Sequence, residues 1–113
     1  MIKILVIDDE PIIREGLRKT IQWEHLHCKI VGEAENGVEA IEKINTLLPD
    51  IVITDIMMPG LSGLELTRYV KDNYPHIKII FLQKIIVGCA TFNFKKMKVI
   101  QPKIHRRLRN FQF

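Results

Sequence analysis

The sequence predicts an α/β fold, a doubly wound parallel sheet with helices on both faces. Three observations carry that expectation. Short apolar runs rich in Ile and Val recur four times, near-continuous as in strands buried on both faces. Stretches with apolar residues at helical spacing separate them. The first and third runs stop abruptly at acids, Asp8-Asp9 and Asp55. Alternating strands and helices, joined by right-handed crossovers, specify a parallel sheet.

The first strand is Ile2-Lys3-Ile4-Leu5-Val6-Ile7. Pro11 suits the first turn of a helix, and the acid before it can cap. Ile12, Ile13, Leu17 and Ile21 then recur at helical spacing up to about Trp23, with Gly16 weakening the helix without breaking it. Residues 29–34 read as the second strand. Asn36-Gly37 marks a turn and a helix start, and Val38, Ala40, Ile41, Ile44, Leu47 and Leu48 form a stripe that ends before Pro49. Residues 50–55 are the third strand and 57–60 a loop. Ser62 caps the third helix, and Glu65, three residues on, completes a capping box. Leu64, Leu66, Tyr69 and Val70 are its apolar side, ending near Asn73-Tyr74-Pro75. Residues 77–82 are the fourth strand. After Leu82 the pattern changes. Residues 84–87 extend or repeat a strand, 91–100 alternate in part as a strand does, and 103–113 place Ile104 and Leu108 on one helical face.

The 113 residues are one domain's worth and leave no room for an output module. An apolar fraction of 47% is enough to bury a core. The formal charge of +4 averages two unlike segments. Residues 1–82 hold all 13 acids and 9 bases, a net −4, whereas 83–113 hold 8 bases and no acid. We therefore divide the chain into a core, 1–82, and a basic, atypical segment, 83–113. Cys28 and Cys89 form no disulfide framework. The apolar start is too short for a signal peptide, and no run approaches the length needed to span a bilayer. The expectation is a reduced, cytoplasmic protein with no membrane contact.

In an open parallel α/β sheet, ligands bind beyond the carboxyl ends of the strands. In the flavodoxin-like order 2-1-3-4-5, strands one and three are neighbours, so Asp8, Asp9 and Asp55 converge in one crevice. Capping or solvation explains one such acid. Three repel one another unless a cation or proton relieves them. The economical answer is Mg²⁺ with oxygen ligands and retained waters. A carboxylate beside Mg²⁺ can attack phosphorus, which points to an acyl phosphate on an aspartate. Such a change at Asp55 adds nearly two charges, which suits a switch better than turnover of a metabolite. Residue chemistry alone does not choose Asp55 over Asp9 as the nucleophile.

LVIDDEP at 5–11, ENGVEAIE at 35–42, PDIVITDIMMPGLSGLEL at 49–66 and HIKIIFL at 76–82 resemble the response-regulator receiver domains of two-component systems. The run Asp-x-x-Met-Pro-x-x-x-Gly, Asp55 through Gly63, is the most specific of these features. Trp23 and the stretch after it are similar to receivers attached to AraC-type DNA-binding regulators. The resemblance implies that Asp55 is the phosphoacceptor, Asp9 a direct Mg²⁺ ligand and Asp8 the acid that helps hold the metal. Met57 would lend the metal its backbone carbonyl, and Met58-Pro59 and Gly63 would shape the loop. It also implies a sensor histidine kinase as partner, and altered homodimerisation or signalling to an output or DNA-binding domain, absent from this chain, as the consequence. It implies no enzyme activity beyond self-dephosphorylation.

The resemblance covers residues 1–82 and then departs. Gln83 stands where a receiver carries Ser or Thr, and no Lys precedes Pro102. His105 falls about where an ungapped alignment places that Lys, and Lys103 is a substitute cation on the other side of the proline. These departures predict weak phosphorylation or weak transmission. A shifted reading frame or a joined foreign segment would produce such a break, and translating the parent DNA in its other frames tests this.

An alternative is a receiver-like binding module that no longer switches. Its basic segment, with Lys95, Lys96, Lys98, Lys103, Arg106, Arg107 and Arg109 beside Phe92, Phe94 and Phe111, would contact nucleic acid or a protein. A solvated end is the plainer reading of that run. An aspartyl-phosphate enzyme would need a second acid near Asp55 and a substrate cap, and the sequence shows neither. His25, His27 and Cys28 fit no usual zinc spacing. Gly60 and Gly63 lack the Lys-Ser/Thr of a phosphate-binding glycine loop.

Overall fold

The computed structural model describes residues 1–58 and 60–82, together with the backbone of four strands within 86–111. The chain runs β1 (Ile2–Ile7), α1 (Pro11–Thr20), a 3₁₀ turn (Trp23–Leu26), β2 (Cys28–Ala34), α2 (Gly37–Leu47), β3 (Ile51–Asp55), α3 (Gly63–Asn73) and β4 (Lys78–Leu82). Four further strands follow: β5 (Ile86–Val87), β6 (Thr91–Phe92), β7 (Met97–Gln101) and β8 (Ile104–Phe111).

Alternation of side chains along the strands builds two core layers. Leu5 and Ile7 of β1, Val52 of β3, and Ile79 and Phe81 of β4 pack with Ala40 and Ile44 of α2 and Leu66 and Val70 of α3. Ile4 and Val6, Ile53 and Leu82 face the other way, onto Ile13 and Leu17 of α1. The sheet is thus covered on both faces, as its continuous apolar strands predict.

β2, β1, β3 and β4 lie side by side in that order and run parallel. The expected order therefore holds through four strands. The fifth place is filled differently, because β7 pairs antiparallel with β4 and β8 antiparallel with β7. Gln101 of β7 lies opposite Ile104 of β8, and Met97 opposite Phe111. The helical face expected at Ile104 and Leu108 is accordingly corrected to a strand. A separation of four residues puts two side chains on one face of a helix and equally on one face of a strand.

Helix boundaries follow local chemistry. Asn36 caps α2 by accepting the Glu39 amide at 2.8 Å, and Glu39 reaches back to the Glu35 amide at 3.5 Å. Leu48 ends the helix in the left-handed conformation, φ 48°, ahead of Pro49. Ser62 accepts the Glu65 amide at 3.2 Å, the capping box expected for α3. Glu10 departs from expectation. It holds the N-cap position of α1, but its side chain makes no capping bond. Its carbonyl accepts the Ile13 amide at 3.1 Å, and the longer glutamate arm suits a cap less well than Asp or Ser. α1 stops at Thr20, and Trp23 enters the 3₁₀ turn, its indole N–H donating to the Leu17 carbonyl at 3.1 Å.

Candidate functional site

The carboxyl ends of β1 and β3 meet because these strands are direct neighbours, with Ile7 opposite Thr54. Asp8 follows β1 and Asp55 ends β3. One carboxylate oxygen from each of Asp8, Asp9 and Asp55 lies within 4.8 Å of the others. Among the described residues this is the one cluster of three or more His, Cys, Asp or Glu side chains able to share a metal ion. His25, His27 and Cys28 form no such group.

The three acids sit in unlike surroundings. Asp8 is fully buried, Asp9 exposed and Asp55 partly buried. The Asp8 amide donates to the Ala34 carbonyl at 3.0 Å, which ties the acid to the end of β2. Its Oδ1 accepts the Glu10 amide at 2.9 Å. Asp55 Oδ1 lies 3.4 Å from the Met57 amide. The donor set is all hard oxygen, and it draws on a buried and an exposed carboxylate. That chemistry fits Mg²⁺, which takes one or two carboxylates and keeps several waters.

The loop after β3 is held close to Asp55. The Gly63 amide donates to the Ile56 carbonyl at 2.9 Å, and Gly60 turns the chain with φ +78°. Thr54 is buried, its hydroxyl donating to the Asp55 carbonyl at 3.0 Å. Met58 is buried in the core, whereas Met57 is 78% exposed and its side chain packs little.

Sequence reasoning missed Arg14. Its guanidinium Nη1 donates to the Asp8 carbonyl at 2.5 Å, and Nε lies 3.3 Å from Glu33. A cation in the first turn of a helix, where the dipole opposes it, was the available signal. Of the remaining positions singled out in the sequence, Gln83 and Lys103 lie outside the described residues. His105 falls within β8, where the backbone alone is described.

Fold and site define a doubly wound α/β domain with an acidic, cation-type pocket at the carboxyl end of its sheet. The chain belongs to the response regulator receiver domain family, whose model matches residues 4–85. It is 45% identical over 96 residues to the uncharacterized transcriptional regulatory protein YesN of Bacillus subtilis, a match covering 85% of this chain and 25% of that protein. It is 42% identical over 82 residues to the transcriptional regulatory protein LnrK of the same organism, covering 73% of this chain and 37% of LnrK. The chain thus spans between 25% and 37% of the length of these two curated relatives. Among solved structures, it resembles the REC domain of AraT from Geobacillus stearothermophilus, with TM-score 0.67 and 39% identity over 70% of this chain and 61% of that one. The isolated REC domain of RcsB from Salmonella enterica serovar Typhimurium, solved with the phosphomimetic BeF3-, gives TM-score 0.64 and 32% identity over 76% and 64% of the two chains. Receiver domains are signalling domains of two-component systems, and an acidic pocket that binds Mg²⁺ is typical of the family. Among the described residues, no helix is long and apolar enough to cross a membrane.

Proposed function

We propose that this chain receives a phosphoryl group on Asp55 from a sensor histidine kinase, with Mg²⁺ bound between Asp8, Asp9 and Asp55. The observation that carries the reading is the approach of the three carboxylates to within 4.8 Å at the ends of adjacent strands. Asp55 is the acceptor, because it ends β3 in the run that matches the family motif and the Gly63 amide is bonded to the Ile56 carbonyl beside it. Asp9 is the direct metal ligand and buried Asp8 supports it. The Met57 backbone carbonyl completes the ligands from the chain. When bound, Mg²⁺ supplies positive charge for the phosphoryl oxygens. An Asp55 carboxylate oxygen bonds to phosphorus as the phosphorus–nitrogen bond of the donor phosphohistidine breaks, and the electron pair stays with the imidazole, which takes up a proton.

Gln83 at the hydroxyl position, with His105 and Lys103 around the lysine position, supports weak phosphorylation or weak transmission. We take residues 83–113 as a segment apart from the 1–82 core. By analogy with the transcriptional regulators it matches, the chain acts in transcription regulation; we further take it to act in the cytoplasm, with phosphorylation altering homodimerisation. It turns over no substrate beyond its own acyl phosphate.

A beryllofluoride titration followed by amide chemical shifts tests this. Shifts at Asp9, Asp55 and Met57 that require Mg²⁺ and vanish in Asp55→Asn are the expected result. Full, stable family-like switching would contradict the impaired reading, and no Mg²⁺-dependent response would contradict the site.

A further inference from the structure

We infer that Arg14 is a positioning residue for the acidic pocket, clamping the Asp8 end of β1 to Glu33 of β2. The inference rests on the pocket reading above. Arg14 stands in the first turn of α1, where the helix dipole disfavours a cation. It is nonetheless largely buried, with 17% of its side chain exposed. Two contacts compensate. Nη1 donates to the Asp8 carbonyl at 2.5 Å, and Nε pairs with Glu33 Oε1 at 3.3 Å.

Glu33 is itself anchored from two helices. Its Oε2 pairs with Arg18 Nη1 at 2.5 Å, and its carbonyl accepts from the Lys43 ammonium of α2. The guanidinium therefore joins the backbone immediately before Asp9 to a carboxylate on the strand beside β1. A planar fork can make both contacts at once, and a lysine ammonium on a flexible stem cannot hold the same geometry.

Arg14 acts on a bound cation in two opposing ways. Its charge repels the cation, and its clamp holds Asp8 where the ligand set needs it. Glu33, 3.3 Å from Arg14, is shared with Arg18 and offsets only part of the charge, so the two effects pull Mg²⁺ affinity in opposite directions. Outer partners that orient metal ligands typically matter by 10- to 100-fold in affinity.

The test uses the full chain with Arg14→Lys and Arg14→Met, read by calorimetric Mg²⁺ titration and by amide hydrogen exchange at Asp8 and Glu10 in metal-free protein. We expect Arg14→Lys, which keeps the charge, to bind Mg²⁺ roughly tenfold more weakly and both variants to exchange faster at both amides. Tighter binding by Arg14→Met with Arg14→Lys unchanged would mean a charge effect alone and would overturn the clamp. Wild-type protein that takes up no Mg²⁺ overturns the metal reading instead. The exchange data then still decide the clamp, which unchanged rates in Arg14→Lys, the variant that retains the charge, would refute.

Discussion

A Cβ placed on Gly63 would lie 2.4 Å from the carbonyl oxygen of Asp55 and 3.0 Å from Cα of Ile56. The start of α3 therefore rests directly on the backbone of the candidate phosphoacceptor. This contact gives a physical reason for glycine at the end of the Asp-x-x-Met-Pro-x-x-x-Gly run. The neighbours are backbone atoms at the end of a central strand and of the residue after it, not the far end of a flexible side chain. Gly63→Ala is expected to destabilise the fold by about 1–3 kcal/mol, as overpacking typically does. Chemical denaturation with an unchanged m-value checks this, and equal stability would mean the approach is not tight.

Three carboxylates within 4.8 Å repel one another in the absence of a cation. Asp55→Asn removes one of the charges. Metal-free Asp55→Asn should melt at a higher temperature than metal-free wild type. Saturating Mg²⁺ should raise the melting temperature of wild type more than that of the variant. Thermal melts with and without the ion decide it, and a variant less stable than wild type without metal would count against the repulsion.

The pH dependence of stability contains a contribution from Glu39. A hydrogen bond from Lys43 holds its carboxyl below the usual 4.5, and the Glu35 amide adds to the effect. The folded pKa is lower than the unfolded one, so the unfolded chain binds more protons as acid is added. The stabilisation is present above pH 4.5 and is lost as pH falls through the folded pKa. Exposed pairs of this kind contribute about 0.5 kcal/mol or less. Glu39→Gln should flatten that part of a stability–pH curve and leave neutral-pH stability little changed.

Asn45 joins α2 to the end of α3. Its Oδ1 accepts the Tyr69 hydroxyl at 2.9 Å and the Tyr74 hydroxyl at 2.6 Å, and the two rings meet edge to face with centroids 6.4 Å apart. All three groups are reached by solvent, so water replaces the lost acceptor. Asn45→Ala should cost about 0.5–1.5 kcal/mol, measured by denaturant, and should leave Mg²⁺ binding unaltered.

The core was legible because its signals agree at each level. Ile4 and Leu5 point to opposite faces, as strand alternation requires, and each face meets an apolar helical stripe. Asn36 and Ser62 announced their helices because their side chains reach the amides three residues on. Glu10 carried the right charge on too long an arm. Ile104 and Leu108 misled because a four-residue spacing satisfies two periodicities, and β8 pairs antiparallel with β7. At the site, Asp8, Asp9 and Asp55 were visible because acids end apolar strands. Arg14 was not, because its partners are a backbone carbonyl and a glutamate on another strand. Only the folded sheet brings those groups together.

The most direct test of the account is mass spectrometry of the protein after exposure to acetyl phosphate and Mg²⁺, followed by reductive trapping and peptide mapping. The account predicts a single added phosphoryl group before reduction, incomplete in occupancy, and a reduced side chain mapped to position 55, both absent in Asp55→Asn or without Mg²⁺. A reduced side chain mapped to Asp9, or undiminished labelling of Asp55→Asn, would contradict it.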